Sequence, residues 1–332
     1  MKYITLRMVA EKAGVSVNTA SRAINNKPDI NKETKKQVLR IAKELGYIRN
    51  AAAFALRTKK TETIGVVIAD NRNPFYAEVL SGMEIAAREN NYHIILANTQ
   101  RDYNKEEEAI NLLLAKRVDG LLIAPVQDRD DDIAYLVGKR FPFVIVGRDF
   151  ENIEADAVYN DEIKGGFLAT EYLIKKGHKR IAFINGFLYK SPAKGRLTGY
   201  KQALKKYDIP LDDILISVGD IDVEDGYRRT KQLLEKELDF TAIFAYNDMM
   251  ALGVIQALKE KNLRIPGDIE LVGYDDIPFA SFVNPPLTTI KIKKQELGVE
   301  SVNLLLSRIN NRHRKIKKVV LDVELITRGA EN

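Results

Sequence analysis

Val17, Asn18, Ser21, Arg22 and Asn25 stand at i, i+1, i+4, i+5 and i+8 in the stretch "GVSVNTASRAINN". On a helix these positions share one face. The face offers small polar groups, one cation and one Val methyl pair, while Ala20, Ala23 and Ile24 can turn inward. Such side chains fit the edges of base pairs. An Asn amide pairs with adenine N6/N7, an Arg fork with guanine O6/N7, and Val meets a thymine methyl. Taken alone, the residues fit either a base-reading helix or one arm of a generic helix hairpin.

The elements that would hold this face are legible around it. Leu6, Val9, Ala10 and Ala13 recur at i, i+3, i+4 and i+7, which predicts a first helix with one apolar face. Gly14 ends it, and Ser16 is the N-cap of the next helix. A third helix is expected from Lys32 to Leu45, with Val38, Ile41, Ala42 and Leu45 inward and Gly46 as its stop. Helix, tight turn and a second helix that begins with small polar residues make a helix-turn-helix. Charge follows the same boundary. Residues 1–60 hold fourteen Lys/Arg and four Asp/Glu, a net of +10, whereas the remainder holds 38 Lys/Arg and 42 Asp/Glu, a net of −4. A basic segment on a mildly acidic body suggests a polyanion partner for that segment. A solvated Lys-rich arm would carry the same charge.

"IRNAAAFALRTKKTET" follows, Ala-rich with only Phe54 and Leu56 as large apolar residues. It predicts a conditional helix plus linker ending near Thr61, because an isolated helix this short is marginal in water. From Ile64 onward β-branched runs alternate with helical ones. The strand candidates are "TIGVVIA", "YHIILA", "GLLIA", "FPFVIVG", "RIAFING", "ILISVG", "TAIFAYN" and "IELVGYD". Helices are expected to start near Phe75, Lys105, Asp131, Ile163, Arg196, Val223, Asp248 and Lys294. The alternation predicts two doubly wound parallel sheets of about five or six strands. The break is placed near Asp161, with ligands expected at the carboxyl ends of the strands, in the cleft between the two halves.

Several chemistries are excluded. The chain has no cysteine, and His93, His178 and His313 lack metal-ligand spacing. There is no phosphate loop, no GxGxxG after a strand and no GxSxG elbow. The carboxylates of "RDDD" (129–132) read as an acid-enriched helix start. No metal, no cofactor and no catalytic role are therefore expected. No stretch is long and apolar enough to span a membrane, and the N-terminal segment lacks the apolar core of a signal peptide, so a cytoplasmic protein is expected.

"TLRMVAEKAGVSVNTASRAINN" followed by "NKETKKQVLRIAKELGY" resembles the headpiece of the lactose-repressor/galactose-repressor family of bacterial transcription regulators. The resemblance continues through "LRTKKTETIGVVIADNRNPFYAEVLSGMEIAA", "RVDGLLIAP", "GHKRIAFING", "GRLTGYKQAL", "TAIFAYNDMMALGVIQAL", "IPGDIELVGYDD" and "PPLTTIKI". It implies a homodimer, tetrameric in some members, on a near-palindromic operator. By position it makes Val17, Asn18 and Arg22 base readers. It sets Thr5, Leu6, Ser16, Thr19, Ser21, Asn25 and Thr34 near phosphates. It makes the Ala-rich segment a hinge helix that folds on DNA, with Leu56, Ala53 and Asn50 at the minor groove; by itself Leu56 reads rather as a linker residue packed on the body, and the resemblance reverses that reading. Two departures stand out. Arg49 replaces a usual Pro before the hinge, and Met8 replaces a common Asp.

The same resemblance implies a small-molecule effector, most simply a sugar or sugar derivative, between two lobes. Its site residues would be Phe75, Tyr76, Arg148, Asp149, Asp161, Lys190, Arg196, Asn247, Asp248 and Asp275, a donor and acceptor set suited to hydroxyls. Asp275 also reads as a capping residue after its strand. Ile221 stands where an aromatic often stacks, and "GR" at Gly147 stands where "DR" is common, so a purine or other metabolite acting as corepressor stays open. The expected architecture is an all-α helix-turn-helix headpiece (1–48), a hinge and linker (49–61) and a two-lobed α/β body like that of periplasmic binding proteins. Its lobes are drawn as 62–160 with 291–318, and 161–290 with 319–332. A solute-binding protein would share the body without the headpiece. An α/β enzyme would need a phosphate loop or a base in the cleft.

Overall fold

The computed structural model describes residues 4–48, 55, 58–127 and 129–329. The chain divides into two compact units, Met1–Thr61 and Glu62–Asn332. Asn50, Ala53 and Leu56, the expected hinge contacts, lie outside the described residues.

The first unit holds helices Leu6–Lys12, Val17–Ile24 and Lys32–Leu45. Each begins on a capping side chain: Thr5 accepts from the Met8 N–H, Ser16 from Thr19 and Asn31 from Glu33. Gly46, at φ 67, closes the third helix in the left-handed conformation that favours glycine. The apolar faces meet in a small core of Val9, Ala10, Ala13, Ala20, Ala23, Val38, Ile41 and Ala42. Because Ala20 and Ala23 are small, the second helix packs closely on the other two and its far side stays open.

The second unit contains two six-stranded sheets. The first is ordered β11 (Lys318–Leu321), β5 (Ala157–Asn160), β4 (Phe143–Val146), β3 (Gly120–Ile123), β1 (Thr63–Ile68) and β2 (His93–Asn98), and its pairings are parallel. The second is ordered β12 (Val323–Ile326), β10 (Thr288–Ile292), β9 (Glu270–Asp275), β8 (Ala242–Ala245), β6 (Ile181–Gly186) and β7 (Ile216–Gly219). Here β12 runs antiparallel to β10, so this sheet is not purely parallel as expected. β5, β10, β11 and β12 were absent from the strand candidates. The expected lobe divisions also move. Lys291 and Ile292 still belong to β10 of the second sheet, and Lys318–Leu321 pair with β5 of the first.

Helix pairs cover the sheets. Pro74–Glu89 and Lys294–Asn310 share one core on the first sheet, and Tyr103–Ala115 and Asp131–Gly138 pack on its other face. Glu162–Lys175 and Ser191–Lys206 cover one face of the second sheet, and Val223–Glu235 with Asp248–Glu260 the other. The helix expected from Arg196 starts earlier, at Ser191, with Pro192 in its first turn. That helix lies close against Glu162–Lys175, because a Cβ at Gly199 would stand 2.1 Å from the Ile163 carbonyl oxygen. Gly199→Ala should therefore cost about 1–3 kcal/mol through overpacking. The check is a denaturant midpoint that falls at unchanged m.

Candidate nucleic-acid interface and ligand cavity

The second helix of the first unit presents the expected face. Val17 is 45% exposed, and Asn18 beside it is exposed as well. An uncovered Val next to an uncommitted amide has no packing role in this unit, which is what a groove-facing pair requires. Neither of the first two helices has an acidic residue in its first turn, so their N-terminal N–H groups keep a positive field. Ser16 and Thr19 hydroxyls lie 2.9 Å apart at the start of the second helix. Ser21 and Thr34 are partly exposed.

Two expected contacts take other roles here. Leu6 packs its side chain on the headpiece core, leaving only its backbone free to meet a phosphate. Asn25 turns its amide back onto the Ser21 carbonyl at 2.6 Å, because it closes the end of the helix. Arg22 is ion-paired with Asp29 in the loop that follows. Sequence spacing gave no sign of this partner, since a seven-residue reach across a loop follows no helical period. Both side chains are about half exposed, and such a pair contributes about 0–1 kcal/mol. The pair thus orients the guanidinium and costs little to break. Asp29→Asn should strengthen binding to random DNA several-fold while lowering the ratio of operator to random affinity, measured by fluorescence anisotropy at fixed salt.

In the second unit the carboxyl ends of the strands of both sheets enclose a cavity of about 70 Å³. It lies at the switch points where strand order reverses, between β1 and β3 and between β6 and β8. Phe75, Tyr76, Arg148, Lys190, Arg196, Asn247 and Asp275 line it, as expected. Asp149, Asp161 and Asp248 do not. Asp149 instead pairs with Lys318 at 2.7 Å. Asp161 is the N-cap of Glu162–Lys175 and accepts from the Lys164 N–H at 2.9 Å. Asp248 is fully buried and ties β10 to the loop after β9, accepting from the Thr289 hydroxyl at 2.6 Å and the Ile277 N–H at 2.9 Å.

The structure adds lining residues that sequence reasoning missed: Asp70, Asn73, Arg101, Asn160, Glu162 and Tyr246. Arg196 is the centre of the wall and only 4% exposed. Its guanidinium lies over the Tyr246 and Tyr274 rings at 4.2 and 3.6 Å, donates to Glu162 at 2.7 Å and faces Asp275 at 3.9 Å. Burial pushes the Asp275 carboxyl up to about 7, against the pull of Arg196 and Lys294. Opposite, Arg101 joins the lobes by pairing with Asp70 at 3.0 Å and Asp222 at 3.4 Å. Burial works against the Asp70 charge, yet Arg72 and Arg101 hold its pKa below the usual value. The result is a hydrogen-bonding pocket with an aromatic edge pair, Phe75 and Tyr76, 4.9 Å apart at one side. It can bind and orient a small polar molecule.

Two family models match the chain. Bacterial regulatory proteins of the lacI family match residues 5–50, and periplasmic binding proteins and sugar binding domain of LacI family match residues 61–328. The chain belongs to the LacI family. The ribose operon repressor of Escherichia coli (strain K12) is 38% identical over 329 residues, covering 98% of this chain and 99% of that one. The HTH-type transcriptional repressor PurR of Histophilus somni (strain 2336) is 36% identical over 325 residues, covering 98% of each. A crystal structure of the Lac repressor dimer bound to operator and the anti-inducer ONPF matches with a TM-score of 0.88 and 31% identity over 98% of each chain. The helix-turn-helix unit and the two-lobed α/β body are thus the LacI-family arrangement. Among the described residues no helix is long and apolar enough to cross a membrane, and no group of His, Asp and Glu could hold a metal ion.

Proposed function

We propose that this LacI-family chain is a transcriptional repressor that reads a near-palindromic operator as a homodimer and is switched by a small molecule held between its lobes. The observation that carries this reading is the open Val17–Asn18–Arg22 face on a unit with ten surplus positive charges. Lys and Arg attract the phosphates without regard to sequence, and the lightly charged helix fits the major groove and selects bases. Thr5, Ser16, Thr19, Ser21 and Thr34 set the register on the backbone. Asn50, Ala53 and Leu56 serve as the hinge at the minor groove.

A dimer is supported by apolar side chains exposed along one edge of the body. The edge strand β2 exposes Ile95 and Leu96, and the two helices that touch it expose Ile85 and Leu112. Effector binding would shift the lobes and so decide whether both headpieces can reach adjacent half-sites, to the extent that the ligand prefers one state. A sugar or sugar derivative suits the cavity better than a purine. Asp70, Asn73, Glu162, Arg196, Asn247 and Asp275 supply donors and acceptors for hydroxyls around one aromatic edge, Phe75 and Tyr76. The cavity binds and does not catalyse, and the protein acts in the cytoplasm without a cofactor. Selection of the full chain on a random duplex pool tests this reading. Enrichment of one inverted repeat supports it; no enrichment, or enrichment of asymmetric sites only, rejects it.

A further inference from the structure

The arginines of the cavity are not balanced alike. Arg101 has Asp70 and Asp222, and Arg196 has Glu162 and Asp275. Arg148 has no carboxylate partner among the described residues. It is 8% exposed, and its Nη1 donates to the carbonyls of Pro125 and Val126. Its Nε and Nη2 make no hydrogen bond to the described protein. Glu106, behind the Val126 loop, accepts from the Val126 N–H at 2.8 Å. Burial and the neighbouring Asp132 raise its pKa, against the pull of Arg148. A guanidinium stays charged at any ordinary pH, and a buried one without a counter-ion is costly.

A second unpartnered group faces the same space. Asn160 is 3% exposed, and its side-chain oxygen finds no hydrogen-bond partner. The register Val146↔Val158 sets the ends of β4 and β5 side by side, so Arg148 and Asn160 lie on neighbouring strand ends, and both line the cavity. One asks for an anion and the other for a hydrogen-bond donor. We infer that the effector is a small hydroxylated anion, whose carboxylate or phosphate oxygens dock on the Arg148 fork while a hydroxyl donates to Asn160. This rests on the cavity being the effector site. A volume of about 70 Å³ is several times that needed by one water and favours a ligand of monosaccharide size. The fork matches two oxygens of either group, and charge-assisted bonds there are about twice as strong as those to a neutral hydroxyl.

Gly147 supplies the discriminating test. It lines the cavity at φ 71, and a Cβ built on it meets no atom within 4 Å. Asp and Asn tolerate positive φ better than other residues with side chains. Gly147→Asp would place a permanent counter-ion beside Arg148, whereas Gly147→Asn adds the same bulk without charge. The probes for the full-length chain are inorganic phosphate, gluconate against glucose, and ribose 5-phosphate against ribose. They are read by thermal shift and calorimetry at matched ionic strength. Wild type is expected to gain melting temperature with phosphate, and to bind an anion about 10- to 100-fold tighter than its neutral parent. Gly147→Asp should lose the preference for the anion over its neutral parent, and Gly147→Asn, of equal bulk, should keep that preference even where both ligands bind more weakly. A response confined to gluconate identifies a sugar acid, and one confined to the phosphates a phosphorylated ligand. Phosphate bound by the basic headpiece shifts all three proteins equally and does not count. An absent phosphate increment, an increment equal in wild type and Gly147→Asp, or a neutral parent that binds as tightly as its anion overturns the inference. Operator selection is independent of these probes, so a repressor with a neutral effector would fail here and pass there.

Discussion

Arg22→Ala is expected to remove most operator selectivity and leave the fold intact. The side chain is 41% exposed and its one ion pair, with Asp29, is on the surface, so folding loses little. Alanine is also the best helix former, so Val17–Ile24 persists. On the operator, a bidentate contact to guanine discriminates by about 1–3 kcal/mol at each half-site. A dimer uses the contact twice, giving about 2–6 kcal/mol against the correct sequence. Random DNA should lose no more than a single phosphate-type contact per protomer, seen as a small fall in salt slope. Equal losses on both DNAs would show that Arg22 only neutralises phosphate.

Arg196→Ala is expected to cost the most stability. It leaves Glu162 and Asp275 buried without their shared cation, and breaking such a buried arrangement costs about 3–5 kcal/mol. The pH dependence has a definite sign. Burial already raises the Asp275 carboxyl above its unfolded value, and without Arg196 it rises further. Its neutral form is then favoured by folding, so the stability deficit is smallest in acid and grows as pH rises through neutrality. Asp275 already titrates near about 7 with the arginine present, so the variant should lose further ground mainly above that pH as its pKa climbs. Arg196→Lys restores charge but neither the fork nor the stacking between Tyr246 and Tyr274, and should recover only part of the loss. At a temperature where the variant is folded, cavity ligands should no longer alter operator binding. Effector-free operator binding should persist, which separates lost sensing from lost folding.

The headpiece was legible because its signals are local. Ser16, Gly46 and the i, i+3, i+4 apolar rows each act within one helical turn, and the helices begin and end where those residues direct. Eight strand candidates matched because each is a continuous buried β-branched run. β5 escaped because "AVYN" is only four residues long and follows "NIEAD"; β11 and β12 escaped because Asp322 splits an already short run. The cavity was half legible. Asp161 was expected where its neighbour Glu162 does the work, and Asp248 where Asn247 lines the wall. Adjacent residues at a strand-to-helix junction point in different directions. One caps the helix or braces the sheet, and the other reaches the cavity, and no periodic rule covers such a corner. Asp70, Arg101 and Asn160 depend on partners far away in sequence, which only the closed fold brings together.

Coupling between the DNA-reading helix and the ligand cavity is measured by reciprocal titration of the full-length protein. Operator affinity is measured with and without the cavity ligand, and ligand affinity with and without the selected operator. The same ratio is expected in both directions, differing from one by about 5- to 150-fold. A ratio of one in both titrations, with both sites able to bind, would contradict it.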